Sequence, residues 1–333
     1  MVKSKKINVG ISIGDPNGIG IEVMLKALSD RPSNDNCNFI IYSSCELIVN
    51  QKKDLNINSL PLKTITSFDE ISSNSINIKE VFTESKYEFG VFDKLVSKNA
   101  IISFKEAVKD ASDKKIDVLI TSPINKNLSY SESFKYSGHT DYLRNYFNEE
   151  PIMLMVSEKL KVGLLTEHIA LKDVVHNITV EKTTKKLKLL CQVLNKDFGI
   201  IKPKIAVLSI NPHVGDNGVI GTEDQKLLNP AINELNQKED VVSGPFSADT
   251  FFCKNYAKYD AILAVYHDQG LIPFKTLSFG EGVNYSAGLP IIRTSPDHGT
   301  GFDIAGKSIA DPSSFKHALK LALDIYEVRN KIL

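Results

Sequence analysis

Short apolar runs alternate with helical stretches along most of this chain. Runs such as Ile7–Ile13, Phe39–Tyr42 and Val118–Thr121 are rich in β-branched and aromatic residues and have the length of strands. Such runs are typical of strands buried in a parallel sheet. The stretches between the runs predict helices at 21–28, 94–112, 137–147, 179–194, 225–236 and 313–332. Because strand and helix alternate, the pattern predicts an α/β fold with mostly parallel strands.

The length of 333 residues predicts two domains and a sizeable buried core. The last predicted helix has no nearby strand partner, so we expect the C-terminus to return to the first domain. That α/β domain is then discontinuous, with residues 1–130 and 290–333, and the second α/β domain spans 131–289. Residues 51–80 are polar, with clusters of Asn and Ser, and predict short edge strands and loops.

Charge and composition argue against two classes of partner. Forty basic residues balance forty acidic ones, so no overall field favours nucleic acid or an anionic membrane. No apolar run has the length of a membrane span, and Asp15 and Pro16 interrupt the stretch where a signal peptide would need apolar residues. The four cysteines are scattered without a C-x-x-C pair, which is typical of thiols in a reducing compartment. We therefore expect a cytoplasmic protein.

Three histidines each come shortly after a predicted strand, in the segments Lys161–His168, Ile205–His213 and Ala261–His267. In a parallel sheet, ligands collect at the edge where the carboxyl ends of the strands meet. Three neutral imidazoles with an open fourth position are typical of a catalytic zinc-type site. The alternative is that each histidine is an ordinary hydrogen-bonded residue, because their long spacings form no local motif. The residues beyond the third histidine favour a metalloenzyme.

The segment Ser137–Asp141 opens a predicted helix. His139 and Thr140 would lie at the positive end of that helix, which suits a phosphate or a carboxylate. The alternative is an ordinary helix N-cap, because Thr and Asp favour that position. The two interpretations are evenly matched on these residues alone.

The segment 266–293 is the richest in candidate chemistry. Lys275, Asn284 and Arg293 lie there among apolar and glycine residues rather than on a polar helix face. Arg grips a carboxylate or phosphate through two parallel hydrogen bonds, whereas Lys acts as a point charge. A small anionic substrate needs a cation and a guanidinium close to a metal ligand, and this segment supplies both.

Two glycine-rich loops invite a nucleotide-binding interpretation. Gly14–Gly20 lies between a predicted strand and a predicted helix, but its spacing is not G-x-G-x-x-G, and we favour a purely structural turn. Asp297–Lys307 is the second loop, and its glycines would allow the backbone to approach a nucleotide. A mobile surface loop is the alternative, which Phe302 and Ile304 argue against.

Together these motifs resemble the 4-hydroxythreonine-4-phosphate dehydrogenase family of vitamin B6 biosynthesis. The match runs in order along essentially the whole chain. It rests on Gly14-Asp-Pro-Asn-Gly-Ile-Gly20, Gly138-His-Thr-Asp141, Asn211-Pro-His213, Tyr266-His-Asp-Gln-Gly270, Pro273-Phe-Lys275, Asn284 and Arg293-Thr-Ser-Pro-Asp-His-Gly-Thr300. The chain has Asp141 where the family usually has Glu, and Asn17 where a small residue is common.

The resemblance implies a set of site residues. The family's metal ligands fall on His168, His213 and His267. Its substrate contacts fall on His139, Thr140, Lys275, Asn284 and Arg293, of which Lys275 and His139 are the catalytic candidates. The loop 297–307 is similar to the cofactor loop of isocitrate and isopropylmalate dehydrogenases, with Gly299, Thr300, Gly301 and Asp303 as cofactor contacts.

The resemblance also implies the architecture and the cofactors. The family has two α/β/α domains of the isocitrate/isopropylmalate dehydrogenase type, with the active site in the interdomain cleft. It forms a homodimer in which metal ligands are shared between subunits. NAD or NADP and one divalent metal ion per site (zinc, magnesium or cobalt) are the implied cofactors.

The implied reaction is the oxidation of 4-phosphooxy-L-threonine to 2-amino-3-oxo-4-phosphooxybutanoate. That β-keto acid then loses CO₂ to give 3-amino-2-oxopropyl phosphate, a precursor of pyridoxine 5'-phosphate. Dehydrogenation of threonate or erythronate phosphate, metal-dependent hydrolysis of a phosphate ester and non-catalytic binding of a small anion remain as alternatives. The proton acceptor stays open among Lys275, His139 and water.

Overall fold

The computed structural model describes residues 6–30, 36–57, 60–130, 134–237 and 240–331. Two compact units make up the chain. The first contains Met1–Glu149 and Leu289–Tyr326, and the second contains Glu150–Gly288 and Glu327–Leu333.

The first unit is built on a parallel sheet. Its strands are β1 (Ile7–Ser12), β2 (Cys37–Ser43), β3 (Leu62–Ile65), β4 (Ile76–Glu80), β5 (Val118–Thr121) and β12 (Arg293–Pro296). They lie in the order β3-β4-β2-β1-β5-β12, and each neighbouring pair is parallel. The central strands are buried almost throughout, as expected for a sheet with helices on its faces.

The helices of this unit are α1 (Gly20–Ser29), α2 (Cys45–Asp54), α3 (Lys94–Ser112), α4 (Lys126–Ser129), α5 (His139–Phe147) and most of α10 (Ser313–Lys331), whose last residues belong to the second unit. Local signals fix where they begin. The Asp93 carboxylate accepts hydrogen bonds from the backbone N–H groups of Leu95 and Val96 at the start of α3. Phe104 of α3 then packs with Tyr42 and Leu119 of the sheet in the core.

The second unit has a mixed sheet. Its strands are β6 (Ile152–Val156), β7 (Lys161–Leu164), β8 (Ile205–Leu208), β9 (Val242–Phe246), β10 (Ala261–Ala264) and β11 (Val283–Ala287). Their order is β11-β6-β7-β10-β8-β9. The pairs β11–β6 and β6–β7 are antiparallel, whereas β7, β10, β8 and β9 run parallel to one another.

The helices of the second unit are α6 (Val180–Phe198), α7 (Asn229–Asn236), α8 (Ala248–Lys254) and α9 (His267–Leu277). Thr179 caps α6 by accepting from the N–H of Lys182, and Gly199 ends it in the left-handed conformation with φ of 69°. A π-helical turn, Asp224–Leu228, precedes α7.

A buried polar network fixes the end of α10 in the second unit. Arg329 donates from Nε to the Asp197 carboxylate at 2.6 Å and from Nη2 to the Tyr285 hydroxyl at 3.1 Å. The Tyr285 hydroxyl donates in turn to Asp197 at 2.6 Å. Burial raises the pKa of Tyr285 well above its usual value, so the phenol stays protonated.

The predicted α/β class with mostly parallel strands is confirmed. Most predicted elements are present within a few residues, including edge strands in the polar stretch 51–80. The prediction missed α9, which continues through Pro273. It also missed the antiparallel strand β11, which lies in a segment interpreted only as a source of substrate contacts. The domain boundaries inferred from the sequence stay a prediction.

Within the described ranges, no helix combines the length and the apolar character that crossing a membrane requires.

Candidate active site

Two of the predicted metal ligands lie side by side in the second unit. His267 is the first residue of α9, directly beyond β10, and His168 follows the neighbouring parallel strand β7. Their ring centres are 5.6 Å apart. Two imidazoles bound tetrahedrally to one zinc ion at ~2.1 Å would have ring centres roughly 5 Å apart, so this pair fits one cation.

The orientation of the His267 ring also fits a metal ligand. Its Nδ1 lies 2.6 Å from the Asp268 carboxylate, which leaves Nε2 for another partner. Histidine ligands of metals commonly donate their second ring N–H to a carboxylate, which fixes the tautomer. The donor chemistry of His168 and His267 therefore suits a divalent cation.

His213 lies in a strained segment. Five consecutive residues, His213–Asn217, have positive φ between 45° and 77°. This conformation is costly for L-residues, particularly for the β-branched Val214. The buried Asp224 carboxylate holds the start of the segment by accepting from the N–H groups of Ile210 and Asn211 at 2.7 and 3.0 Å.

Within the described residues, the structure groups no three His, Cys, Asp or Glu side chains as ligands of one ion. His168 and His267 are brought together, and His213 follows β8, the strand on the other side of β10. The metal centre formed by all three histidines stays a prediction.

Gln269 connects the loops that carry two of these histidines, a role that its sequence context does not predict. Its Nε2 donates to the carbonyl of Ser209 at 2.8 Å, just before the segment with His213. Its Oε1 accepts from the N–H of Val265 at 2.7 Å, just before His267. The only sequence signal was its place in the motif Tyr266-His-Asp-Gln-Gly270.

In the first unit, the predicted substrate contacts Arg293 and His139 meet at the ends of adjacent elements. Arg293 begins β12 and is only 2% exposed. Its Nε donates to Thr121 Oγ1 at 3.0 Å, at the end of β5, and its Nη2 lies 3.1 Å from His139 Nδ1 at the start of α5. The His139 ring rests on Phe104, with ring centres 4.4 Å apart. Thr121 was not predicted as a site residue.

These contacts define the protonation of His139. A guanidinium can only donate, so Nδ1 of His139 accepts and the proton of the neutral ring sits on Nε2. Burial, followed by the positive charges of Arg293 and Lys126, lowers the pKa of His139 well below its usual value. Burial also lowers the pKa of Arg293, to about 9, so the guanidinium remains charged at neutral pH.

The Nε2–H group of His139 is buried, and no hydrogen-bond acceptor for it exists within the described ranges. A buried donor without an acceptor costs ~1–3 kcal/mol, which native structures rarely tolerate without a reason. A buried guanidinium and an unsatisfied N–H at the same place are suited to an anion that supplies the missing acceptor.

The N-cap of the neighbouring helix α5 is Gly138 rather than Thr140 or Asp141, and no side chain caps it within the described residues. An anion at this helix start stays a prediction. Thr140 follows His139 in the first turn of α5 and is half-buried. The Asp141 carboxylate accepts from the backbone N–H of Ser137 at 3.0 Å. Asp141 therefore closes the turn that presents His139, which is a structural role for the position where the family usually has Glu.

The remaining predicted substrate contacts belong to the second unit. Lys275 is exposed on α9, two turns beyond His267, and Asn284 is half-buried on β11. Their roles toward a substrate stay predictions.

The predicted cofactor loop is partly exposed. Gly299 is exposed, and a Cβ added there would meet no atom within 4 Å among the described residues. The Asp303 carboxylate is also exposed, while Lys307 Nζ donates to the Asp303 carbonyl at 2.6 Å. Open backbone beside an exposed carboxylate fits a nucleotide, whose phosphates approach the backbone and whose ribose offers hydroxyl donors.

Comparison with known proteins identifies the family. Residues 35–322 match the family described as pyridoxal phosphate biosynthetic protein PdxA. The chain belongs to the PdxA family. A relative from Sulfurihydrogenibium sp. (strain YO3AOP1), named 4-hydroxythreonine-4-phosphate dehydrogenase, is 44% identical over 97% of this chain and 99% of its own length. The resemblance inferred from the motifs is confirmed.

Solved structures agree with membership of the PdxA family. A crystal structure of 4-hydroxythreonine-4-phosphate dehydrogenase from Klebsiella pneumoniae has a TM-score of 0.84 and 32% identity, covering 97% of this chain and 98% of that one. Isocitrate dehydrogenase from Methylococcus capsulatus, at 11% identity and a TM-score of 0.51, covers 98% of this chain and 88% of its own and shares the fold alone.

One PdxA-related protein has a different name. A relative from Oceanobacillus iheyensis is assigned provisionally as a D-threonate 4-phosphate dehydrogenase, and it is 35% identical over 97% of this chain and 98% of its own length.

Proposed function

We propose that this chain oxidises 4-phosphooxy-L-threonine to 2-amino-3-oxo-4-phosphooxybutanoate with NAD or NADP, in the biosynthesis of pyridoxine 5'-phosphate. The product then loses CO₂ to give 3-amino-2-oxopropyl phosphate. Membership of the PdxA family and the names of its relatives support this reaction. The structural observation that carries it is the buried Arg293–His139 pair with its unsatisfied Nε2–H, which suits a phosphorylated substrate.

In this mechanism, the first unit binds the phosphate group. Arg293 supplies the charge, His139 donates from Nε2, and Thr140 adds a hydroxyl at the positive end of α5. Thr121 holds the guanidinium in place from the other side. Fixing the phosphate limits the positions that the carbinol carbon can take, and this orientation is itself a large part of catalysis.

His168 and His267, with His213 as the third ligand, would hold a divalent cation (zinc, magnesium or cobalt). A bound cation supplies Lewis acidity toward the hydroxyl that is oxidised, and the nicotinamide supplies the hydride acceptor. Asp268 holds the His267 ring in the tautomer that leaves Nε2 for a ligand bond. Lys275 and Asn284 are the proposed contacts for the amino acid part of the substrate.

The oxidation removes a hydride from the carbinol carbon and a proton from its oxygen. The proton on Nε2 of His139 makes that side chain a hydrogen-bond donor rather than the proton acceptor. Lys275 and solvent are the acceptors that remain from the alternatives considered. Gly299, Thr300, Gly301 and Asp303 are the proposed contacts for the cofactor.

We further propose that the active form is a homodimer in the cytoplasm, with the metal ligands shared between subunits. The segments that follow His168 and His267 expose large apolar side chains, and a second copy of the chain is the occupant that would cover them. They are Ile169, Leu171, Val175, Ile272 and Phe279, the last of which is 91% exposed. The four cysteines, which all lie in the described ranges, are free thiols.

A specific observation also favours a second substrate. The relative named provisionally as a D-threonate 4-phosphate dehydrogenase covers nearly the whole chain. Phosphorylated threonate would present the same phosphate to the Arg293–His139 pair. It differs from phosphooxythreonine in having a hydroxyl instead of the amino group.

One assay tests the proposal. Purified protein is mixed with NAD or NADP, a divalent metal and a panel of phosphorylated four-carbon hydroxy acids, and reduced cofactor is followed by absorbance. The expected result is that phosphooxythreonine gives the highest catalytic efficiency, kcat/KM, of the panel. Highest efficiency with threonate phosphate would support the second substrate, and release of phosphate without reduced cofactor would indicate a hydrolase.

Two variants separate the roles of the proposed residues. His213→Ala should abolish both metal uptake and NAD reduction. Lys275→Met should keep the metal, because the proposed ligands are intact, but lose substrate affinity or turnover. Full activity in His213→Ala would reject the assignment of that residue as a metal ligand.

A further inference from the structure

The glycine loop Gly14–Gly20 lies against the proposed cofactor loop and has no ligand of its own in the proposed function. The loop is buried at every position. The backbone N–H of Ile19 donates to the carbonyl of Thr300 at 2.9 Å. A Cβ added at Gly18 would lie only 2.5 Å from the same carbonyl oxygen. The two glycine-rich loops are therefore in direct backbone contact.

Asn17 extends this contact to a third segment, residues 88–92. Its Oδ1 accepts from the N–H of Glu88 at 2.8 Å, and its Nδ2 donates to the carbonyl of Val91 at 2.9 Å. Its own backbone carbonyl accepts from the N–H of Gly90 at 2.8 Å. The residue is 1% exposed, so its side chain is largely shielded from water. A single side chain thus fixes both ends of residues 88–91.

Residues 88–92 in turn cover the cofactor loop. The Phe92 ring meets the Phe302 ring edge-on, with centres 4.7 Å apart. A Cβ added at Gly90 would lie 2.8 Å from the Phe302 carbonyl oxygen. Phe302 directly follows Gly299–Gly301, so the cofactor loop is held between the glycine loop on one side and residues 88–92 on the other.

We propose that Asn17 is a positioning residue for the nicotinamide cofactor and acts through residues 88–92 on the loop Gly299–Asp303. This inference rests on the proposed function, because it takes that loop to be the cofactor site. A small residue at position 17 could not reach Glu88 and Val91 together. In a chain with a small residue there, residues 88–92 would need another support, so Asn17 tunes cofactor affinity in this chain in particular.

Direct binding of NADH and NADPH tests the inference independently of turnover. The fluorescence of the reduced nicotinamide, excited directly, reports binding. For Asn17→Ala we expect about tenfold weaker binding, equivalent to the loss of one or two buried hydrogen bonds. The Michaelis constant for the phosphorylated substrate and kcat at saturating cofactor should stay within about twofold.

A second variant covers the case in which Asn17→Ala does not fold. Phe92 is 67% exposed, so Phe92→Ala should leave the fold intact while removing the contact with Phe302. It should weaken cofactor binding by several-fold, and Phe92→Tyr, which keeps the ring, should restore binding. Leu95→Ala is the matched control, because Leu95 is a 79% exposed apolar residue in the next turn of chain.

The outcomes separate the two proposals. If Asn17→Ala and Phe92→Ala both bind the reduced cofactors as tightly as the wild type, the positioning role is wrong while the proposed function stands. If the Michaelis constant for the substrate rises as much as the cofactor Kd, the effect is a general loss of structure, which also overturns it. If the wild type binds neither NADH nor NADPH, the proposed function fails, and the inference fails with it.

Discussion

Replacing His139 with phenylalanine separates the hydrogen bonds of the imidazole from its shape. The imidazole already packs on Phe104, with ring centres 4.4 Å apart, so a phenyl ring can occupy the same space. His139→Phe removes the Nε2–H donor that would meet a phosphate oxygen. It also removes the acceptor that faces Arg293 Nη2 at 3.1 Å.

The magnitude depends on the charge of the ligand. A hydrogen bond to a charged acceptor contributes about 1.5–3 kcal/mol, which corresponds to roughly 10- to 150-fold in binding. The free energy of unfolding without ligand should change much less. The substitution removes the buried Nε2–H donor, which has no acceptor within the described residues, and this is stabilising. That gain offsets the cost of removing Nδ1, the acceptor that faces Arg293.

The assay measures two constants at neutral pH. They are the Michaelis constant for phosphooxythreonine and the inhibition constant of inorganic phosphate, and both should rise by this factor in His139→Phe. His139→Gln is the matched control, because its terminal amide keeps an N–H donor near the position of Nε2, and it should stay within a few-fold of the wild type. Cofactor affinity should be unchanged in both variants.

Unchanged constants in His139→Phe would refute the reasoning. They would mean that the Nε2–H group faces no bound anion, and the phosphate would have to bind elsewhere. Equal increases of both constants in His139→Phe and His139→Gln would also contradict the reasoning, because the Nε2–H donor alone could not then account for the binding of phosphate.

Buried groups elsewhere in the chain give three further predictions. Gln269→Leu should weaken metal uptake about 10- to 100-fold, measured as bound metal after dialysis, with Gln269→Glu as a partial rescue. Arg329→Met should lower the free energy of unfolding by about 3–5 kcal/mol in urea, because it leaves the Asp197 charge buried without its cation, whereas Lys331→Met, at an exposed pair, should change it little. The pKa of His139 is depressed in the folded state, so below the usual histidine pKa the unfolded chain takes up a proton that the folded chain does not. The free energy of unfolding of the unliganded protein should therefore fall by up to ~1.4 kcal/mol per pH unit below that pKa. A pH series of melts should show this slope in the wild type and not in His139→Phe.

The apolar pattern of the sequence predicted where the three histidines lie relative to the strands. His168, His213 and His267 follow strands that the apolar pattern marks clearly, and a parallel arrangement places such ends at one edge. The tandem of His139 and Thr140 near the start of a helix was also recognisable, because Thr and Asp are typical of helix starts.

Other parts depend on tertiary contacts that leave no local signal. Pro273 argues against a helix, yet α9 includes it because packing overrides the local preference. Thr121 and Gln269 each make a side-chain hydrogen bond to a residue 60 or more positions away, which no spacing rule reveals. The positive φ of Val214 is contrary to the preference of a β-branched residue, so the sequence around His213 offered no reason to expect it.

The strain at Val214 also bears on engineering for heat resistance. Glycine or asparagine tolerates a left-handed backbone far better, so Val214→Gly or Val214→Asn relieves an energetic penalty of ~1–2 kcal/mol. A screen that scores only melting temperature would select such a change beside a proposed ligand. If the variant without this strain is more stable but less active, valine at position 214 is a compromise between thermal stability and catalytic activity.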